Sequence, residues 1–394
     1  MPINFTKDQQ SIIDIRGKNL LVSAAAGSGK TAVLVERIIK MVSDTETCID
    51  IDRLLVLTFT NLAAGEMRER IGRAISQNLE HNPENAHLQR QMTLLHNAQI
   101  TTIDSFCLFI LRNHFHAIGL DPGFRVADEG ELKLLKKDVM TELLEEWYEL
   151  KTPEFLACAD YFTIGLSDTV IEEYIEKLYD MAISFPWSDD WLKARKDDYA
   201  VLTPHELSES GWLKYLLTYT DNILRGCACE LDNAIKICEE PDGPYMYAEL
   251  LEKELQMLFN LIDSAENIFQ NYQAGFAKLS FARLPVKKDD SVSADKREQA
   301  KALRNMVKDA VKDTAEFFRQ PLETIFARMS EISPPIATLI DLTCDYKKRF
   351  DQAKREKNII DFSDMEHFAL DILWEKTEGG LIPSKAAKEL KHHF

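Results

Sequence analysis

The stretch from Asn19 to Val42 restricts the fold more than any other part of the chain. Asn19-Leu20-Leu21-Val22-Ser23 reads as a short apolar strand, and Ala24-Ala25-Ala26-Gly27-Ser28-Gly29-Lys30-Thr31 as a glycine-containing turn. After the turn Val33, Leu34, Ile38 and Val42 return at helical spacing. A helix that starts from such a turn leaves its first N–H groups without intrahelical partners, and its dipole points its positive end into the loop. Gly27 and Gly29 let the backbone curl so that successive N–H groups converge, which makes a cradle for a polyphosphate. Ala26, Gly27, Ser28, Gly29, Lys30 and Thr31 are therefore the candidate nucleotide ligands. Lys30 is expected to reach the β- and γ-phosphates and the Thr31 hydroxyl to hold Mg2+. The pattern GxxxxGK[ST] is complete except that Ala24 stands at its first glycine. The competing reading is a glycine-rich turn without a ligand.

Around this loop the first 115 or so residues alternate strand and helix. Arg53 to Thr60 is a buried-type strand followed by an amphipathic helix from Ala63 to Ile75, and Ala98 to Ile103 is a third strand leading to a helix from Phe106 to His116. That order predicts an α/β fold with a helix-covered parallel sheet. From Gly119 onward helical periodicity takes over, as in Glu131 to Leu150 and Asp168 to Ile183, so a large all-helical domain is expected. Breaks at Phe185-Pro186-Trp187, Pro241 to Pro244 and Ser333-Pro334-Pro335 are expected to divide it. No internal repeat is visible.

The 394 residues suffice for two or three domains. No apolar run approaches the roughly 18–20 residues of a membrane span, and the N-terminus lacks the features of a secretory signal. A cytoplasmic protein without a membrane partner is expected. Seven scattered cysteines fit reduced thiols better than a disulfide framework. Cys227, Cys229 and Cys238 would need a fourth ligand to hold zinc, and two thiols at i, i+2 diverge on a helix. A net charge of −18 argues against indiscriminate nucleic-acid binding but does not locate a groove. Residues 283–312 carry nine Lys/Arg against five Asp/Glu, which makes them either a phosphate contact or a solvated helix face.

The motifs flanking the loop form a recognisable set. Phe5-Thr6-Lys7-Asp8-Gln9 lies upstream of it, Leu57 to Ile71 reads LTFTNLAAGEMRERI, Thr101 to Cys107 reads TTIDSFC, and Asn358 to Met365 reads NIIDFSDM. Together they resemble the Q motif, motif Ia, motif Ib and the IDFSDL segment of superfamily 1A DNA helicases of the UvrD/Rep type. The long insertion and Asp121 to Glu129 look most like the large subunit of AddA/RexA-type bacterial helicase-nucleases. The resemblance implies ATP and Mg2+ as cofactors, with Gln9 reading the adenine edge through an amide that donates and accepts at once. It implies that Thr58, Phe59, Thr60, Asn61, Ser105 and Phe106 meet DNA, the hydroxyls on phosphate and Phe106 by stacking. Phe59 is expected to pack in the core, with a base as the alternative. Leu62 stands where relatives often have Lys, and Asp104 where they have His. The resemblance further implies an incomplete RecA-like P-loop subdomain 1A over 1–118, a helical insertion 1B over 119–351, and a return into 1A over 352–394.

Hydrolysis needs an Asp for Mg2+ and a Glu for water at the end of an apolar strand. The chain's one Asp-Glu dipeptide, Asp128-Glu129, follows a run interrupted by Arg125 and opens a helical pattern, so Asp128 reads as a helix cap. Ile359-Ile360-Asp361 also runs into a helix, with Ser363 as the expected N-cap and Glu366 closing a capping box. The resemblance places the catalytic carboxylates just after this helix, so the sequence is expected to be an N-terminal fragment of a helicase-nuclease, with no catalytic residue of its own. The parent would unwind and resect double-stranded DNA ends, grip single strands, and pair with a second protein of the AddB/RexB type. The alternative is a nucleotide-binding module or partner scaffold without motor activity. A small-molecule P-loop kinase would leave the motif Ia and Ib matches unexplained.

Overall fold

The computed structural model describes residues 5–25, 27–44, 49–163, 168–200, 203–287 and 289–394. Two compact units emerge: residues 1–139 with 349–394, and residues 140–348.

In the first unit α1 (Lys7–Asp14) is started by Thr6, whose hydroxyl accepts from the Gln9 N–H while Gln9 Oε1 accepts from the Thr6 N–H. The Lys40–Asp14 ion pair, at 2.5 Å, ties α1 to α2 (Lys30–Ser43). β1 (Val56–Thr58) feeds α3 (Asn61–His81), α4 (Ala86–Leu94) follows, and β2 (Ile100–Thr102) feeds α5 (Ile103–His114). β1 and β2 pair in parallel, Val56 opposite Ile100 and Thr58 opposite Thr102. Both strands end in a threonine-capped helix: Thr60 accepts from the Ala63 N–H and Thr102 from the Ser105 N–H. Ile38, Ile39 and Val42 of α2 and Met67, Ile71 and Ile75 of α3 close over Val56 and Ile100, so the apolar stripe of each helix faces the strand pair.

β3 (Arg125–Val126) pairs in parallel with β4 (Ile359–Ile360), which keeps β3 and the first turns of α6 (Glu129–Leu150) with the first unit. Asp128 accepts from the Glu131 N–H at 2.9 Å, which is the helix cap expected of it. After β4 come α16 (Phe362–Leu373), the antiparallel hairpin β5 (Trp374–Thr377) and β6 (Gly380–Pro383), and α17 (Lys385–His393). The N-cap of α16 is Asp361, in a reciprocal box with Asp364, and not Ser363. A local reason decides between them: Lys354, 3% exposed, donates to Asp361 at 3.0 Å and Asp364 at 2.7 Å, so those carboxylates have a partner that Ser363 lacks.

The second unit is helical: α7 (Pro153–Phe162), α8 (Thr169–Ile183), α9 (Ser188–Tyr199), α10 (Pro204–Glu209), α11 (Gly211–Glu239), α12 (Ala248–Ala265), α13 (Phe269–Phe276), α14 (Ala294–Glu316) and α15 (Leu322–Glu356), the last crossing into the first unit. A hydrophobic core joins α11, α12, α13 and α14 through Leu224, Leu231, Leu258, Tyr272 and Val307, with Phe318 just beyond α14.

Two expected elements are absent from the described residues. Asn19 to Ser23 form no strand: a strand exists only with a ladder partner, and these residues pair with neither edge of the β1–β2 sheet, leaving Leu21 97% exposed. Ser333-Pro334-Pro335 is not a break, because α15 runs through both prolines. Two adjacent prolines remove two helix donors, and the burial of Leu339, Ile340 and Leu342 just beyond them offsets that loss. The breaks at Pro186 and at Pro241 to Pro244 do separate helices, α8 from α9 and α11 from α12.

Candidate nucleotide-binding site

Gly27 and Gly29 take φ values of 77° and 81°, a left-handed backbone that costs glycine nothing and other residues dearly. Gly29 is the N-cap of α2 and no side chain caps that end, so the first-turn N–H groups of α2 face the loop as donors. Lys30 and Thr31 open the helix, both exposed. The Lys30 ammonium folds back onto the loop, donating to the Ala24 carbonyl at 2.6 Å and the Ala25 carbonyl at 3.1 Å. Ala26 lies outside the described residues.

Gln9 reaches the loop from α1, its Nε2 donating to the Ser28 carbonyl at 3.1 Å. With Oε1 on the Thr6 N–H, both ends of the amide are engaged, so an adenine would exchange with bonds already made. A cavity of about 480 Å³ opens beside the loop, lined by Gln9, Ile12, Val22, Lys30, Leu34 and Arg37. It combines an apolar floor with an ammonium, a guanidinium and an amide, a donor set that fits a base on one side and phosphates on the other. The sequence reading missed Arg37; seven residues after Lys30, it sits two turns on along α2 and donates to the Ile12 carbonyl. Its helical spacing from Lys30 was the available signal.

The motif Ia residues cluster where β1 ends. Thr58 Oγ1 donates to the Thr60 carbonyl at 3.0 Å, the Thr60 hydroxyl caps α3, and Asn61 is exposed at its first position. Phe59 is 98% exposed, which corrects the expected core packing: the residues flanking it end the strand and start the helix, so no apolar surface passes over it. Leu62 is 76% exposed. Arg68, also missed, fixes this edge by donating to the carbonyls of Leu95, Ala98 and Ile100. The parallel pairing sets Thr102 opposite Thr58, so the motif Ib residues start from the same sheet edge. Ser105 Oγ accepts from Thr102 Oγ1 at 2.9 Å, and Phe106 lies half-buried between Phe109 and Phe394, ring centroids 6.0 and 5.9 Å away. Phe106 is thus held mainly by its own fold.

Among the described residues of the basic segment 283–312, three of the cations are held in ion pairs. Lys296 pairs with Glu240 and Asp242, Lys301 with Glu298, and Arg304 with Glu254, while Lys287 sits over the Tyr245 ring and donates to its hydroxyl at 2.7 Å. Lys296 and Arg304 thereby tie α14 to the turn after α11 and to α12. Cys227 is buried and Cys229 exposed, so the two thiols point to different sides of α11.

Comparison with known proteins agrees with the motif geometry. The model of the UvrD/REP helicase N-terminal domain matches residues 5–394. Proteins named as subunits of an ATP-dependent helicase/nuclease are similar along the whole chain: that of Lachnoclostridium phytofermentans is 46% identical over 99% of it, that of Clostridium botulinum 39% over 99%, and that of Oceanobacillus iheyensis 37% over 100%. The chain spans only 29 to 32% of the length of these curated relatives. By the extent of both matches, the chain belongs to the UvrD/REP helicase N-terminal domain family.

Proposed function

We propose that this chain supplies the nucleotide-gripping and single-strand-gripping part of an ATP-dependent DNA helicase-nuclease that unwinds and resects double-stranded ends. One observation carries the reading: a left-handed glycine loop at the uncapped start of α2, with Lys30 and Gln9 already bonded to its carbonyls and a mixed apolar and cationic cavity beside it. The α2 N–H groups and Lys30 would hold the phosphates of ATP, Thr31 would hold Mg2+, and Gln9 the adenine. When bound, Mg2+ would neutralise charge on the β- and γ-phosphates. Thr58, Phe59, Thr60, Asn61, Ser105 and Phe106 make up the proposed DNA edge, in line with a motif Ia that ends β1 and a motif Ib that ends β2. Within this reading residues 1–118 and 352–394 are the RecA-like part and 119–351 its helical insertion. The disulfide-free Cys107, Cys158, Cys227 and Cys238 suit a reducing cytoplasm, and the partner would be a protein of the AddB/RexB type.

No catalytic carboxylate pair is assigned, because Asp128 is committed to capping α6 and Asp361 to capping α16. The chain should therefore bind ATP·Mg2+ weakly and not turn it over. Calorimetry with ATP·Mg2+ tests the site: binding is expected for the native chain and not for Lys30→Ala, and equal binding by both would sink the assignment. Steady-state hydrolysis that Lys30→Ala removes would refute the expectation that this chain alone does not turn ATP over.

A further inference from the structure

We propose that one flank of α14, with the segment that joins α13 to it, is a contact for the phosphate backbone of a nucleic acid, separate from the edge at Phe59. Four hydrogen bonds pin that segment. Arg304 donates to the Ala282 carbonyl at 2.6 Å, Lys287 to the Tyr245 hydroxyl at 2.7 Å, Arg297 to the Asp289 carbonyl at 3.3 Å, and the Ser293 N–H to the Asp242 carbonyl at 2.8 Å. The first of these sets Arg283 beside Arg304. Arg304, Lys308 and Lys312 then succeed one another at steps of four, which keeps them on one flank of α14. Arg304 is spent on Glu254, whereas Arg283 and Lys312 are exposed and Lys308 half-buried. No ion pair or hydrogen bond engages Arg283, Lys308 or Lys312 among the described residues.

The carboxylates nearest these three cations are bound elsewhere or turned away. Glu254 holds Arg304, Glu298 holds Lys301, Glu316 holds Arg319, and Asp289 accepts from the Tyr245 and Ser291 hydroxyls. Asp309 and Asp313 each follow a lysine by one residue, which turns them about 100° further round the helix, away from the Arg304 side. Asp290 and Asp295 lie at or before the first turn of α14, two turns or more from Arg304 along the chain. An acidic protein would also bring anions, but a protein interface is built round an apolar centre. Val286 is the one large apolar side chain exposed on the joining segment among the described residues, and Met306 lies on the far side of Asp309 and Asp313. A phosphate backbone needs only cations at intervals: four helical residues rise about 6 Å, close to the roughly 6.8 Å between every second phosphate along one strand. That the polymer is a nucleic acid rests on the helicase function proposed above.

The test uses the whole chain and anisotropy of a labelled duplex and a labelled single strand, each in two sequences, at several salt concentrations. Arg283→Gln/Lys308→Gln/Lys312→Gln should flatten the slope of log Kd on log salt by about 2–3 in the arm that this face grips. It should weaken both sequences alike, at least about tenfold at about 50 mM salt. The substituted side chains hold nothing in place, so the variant should melt as the native chain does. Lys308→Arg/Lys312→Arg should keep the native slope, and Lys193→Gln, which removes an exposed charge from α9, should change affinity less than about twofold. Phe59→Ala reports on the other edge: it should shift affinity without changing the slope, and its failure to do so would count against that edge and leave this face standing. Equal slopes for the native chain and the triple variant in both arms, or no binding of either probe at about 50 mM salt, would overturn the proposal. So would a loss from Lys193→Gln as large as that from the triple variant. A poly-glutamate peptide that binds as tightly as the nucleic acids and is lost in the triple variant would also overturn it, by giving the face to an acidic protein.

Discussion

Phe59→Ala separates a ring kept for binding from a ring kept for folding. At 98% exposure the side chain gains almost none of the 1.5–3 kcal/mol that full burial of a large apolar side chain provides, so its removal should shift stability by less than about 0.5 kcal/mol. If a base stacks on it, alanine should cost about 1–3 kcal/mol of single-strand affinity, roughly 5- to 150-fold in Kd. Phenylalanine carries no charge, so the dependence of log Kd on log salt should keep its slope while the whole line shifts. Anisotropy of a labelled oligonucleotide at several salt concentrations, beside urea unfolding of the same preparations, measures both quantities. Phe106→Ala is the internal contrast: its ring packs on Phe109 and Phe394, and its loss should cost about 1–2 kcal/mol of stability. Unchanged affinity in Phe59→Ala, or a stability loss above about 1 kcal/mol, would refute the reasoning, the second by showing that the ring is buried in solution.

Other predictions concern the helical unit. Glu254→Gln leaves Arg304, whose side chain is 4% exposed, with only the Ala282 carbonyl and the neutral amide for partners; the loss should be about 3–5 kcal/mol by urea unfolding, and Arg304→Met/Glu254→Leu should recover most of it. A single-variant loss below about 1 kcal/mol would contradict the burial of that pair. Tyr272 is fully buried and its hydroxyl meets no hydrogen-bond partner among the described residues, so Tyr272→Phe should stabilise by about 1 kcal/mol at pH 7. Burial pushes its pKa from 10.0 to about 12. The unfolded chain then releases that proton first, so stability is fully present below pH 10 and falls as pH rises towards 12. Thermal melts across that window should show the alkaline loss reduced in Tyr272→Phe.

What the sequence revealed and what it concealed divide by the range of the deciding interaction. The cap at Asp128 was legible because donor and acceptor lie three residues apart, and the glycine loop because its conformation is intrinsic to Gly27 and Gly29. The threonine ends of β1 and β2 followed from motifs that each span one strand and one helix start, while their pairing came only from the fold. Asn19 to Ser23 has strand composition, but pairing belongs to two segments, and composition describes one. Phe59 failed for a related cause: an aromatic beside Val56 and Leu57 looks like core until the helix start at Asn61 turns the chain away from it. Lys296 and Arg304 were the least legible, because their partners Asp242 and Glu254 lie 50 or more residues earlier, just after α11 and on α12. A run of like charge therefore shows which residues have attraction to spend, and only the fold shows whether it has been spent. That distinction also separates the edge at Phe59 and Thr60, which offers groups whose bonds are local and exchangeable, from Lys296 and Arg304 of α14, which are already bound within the unit they stabilise.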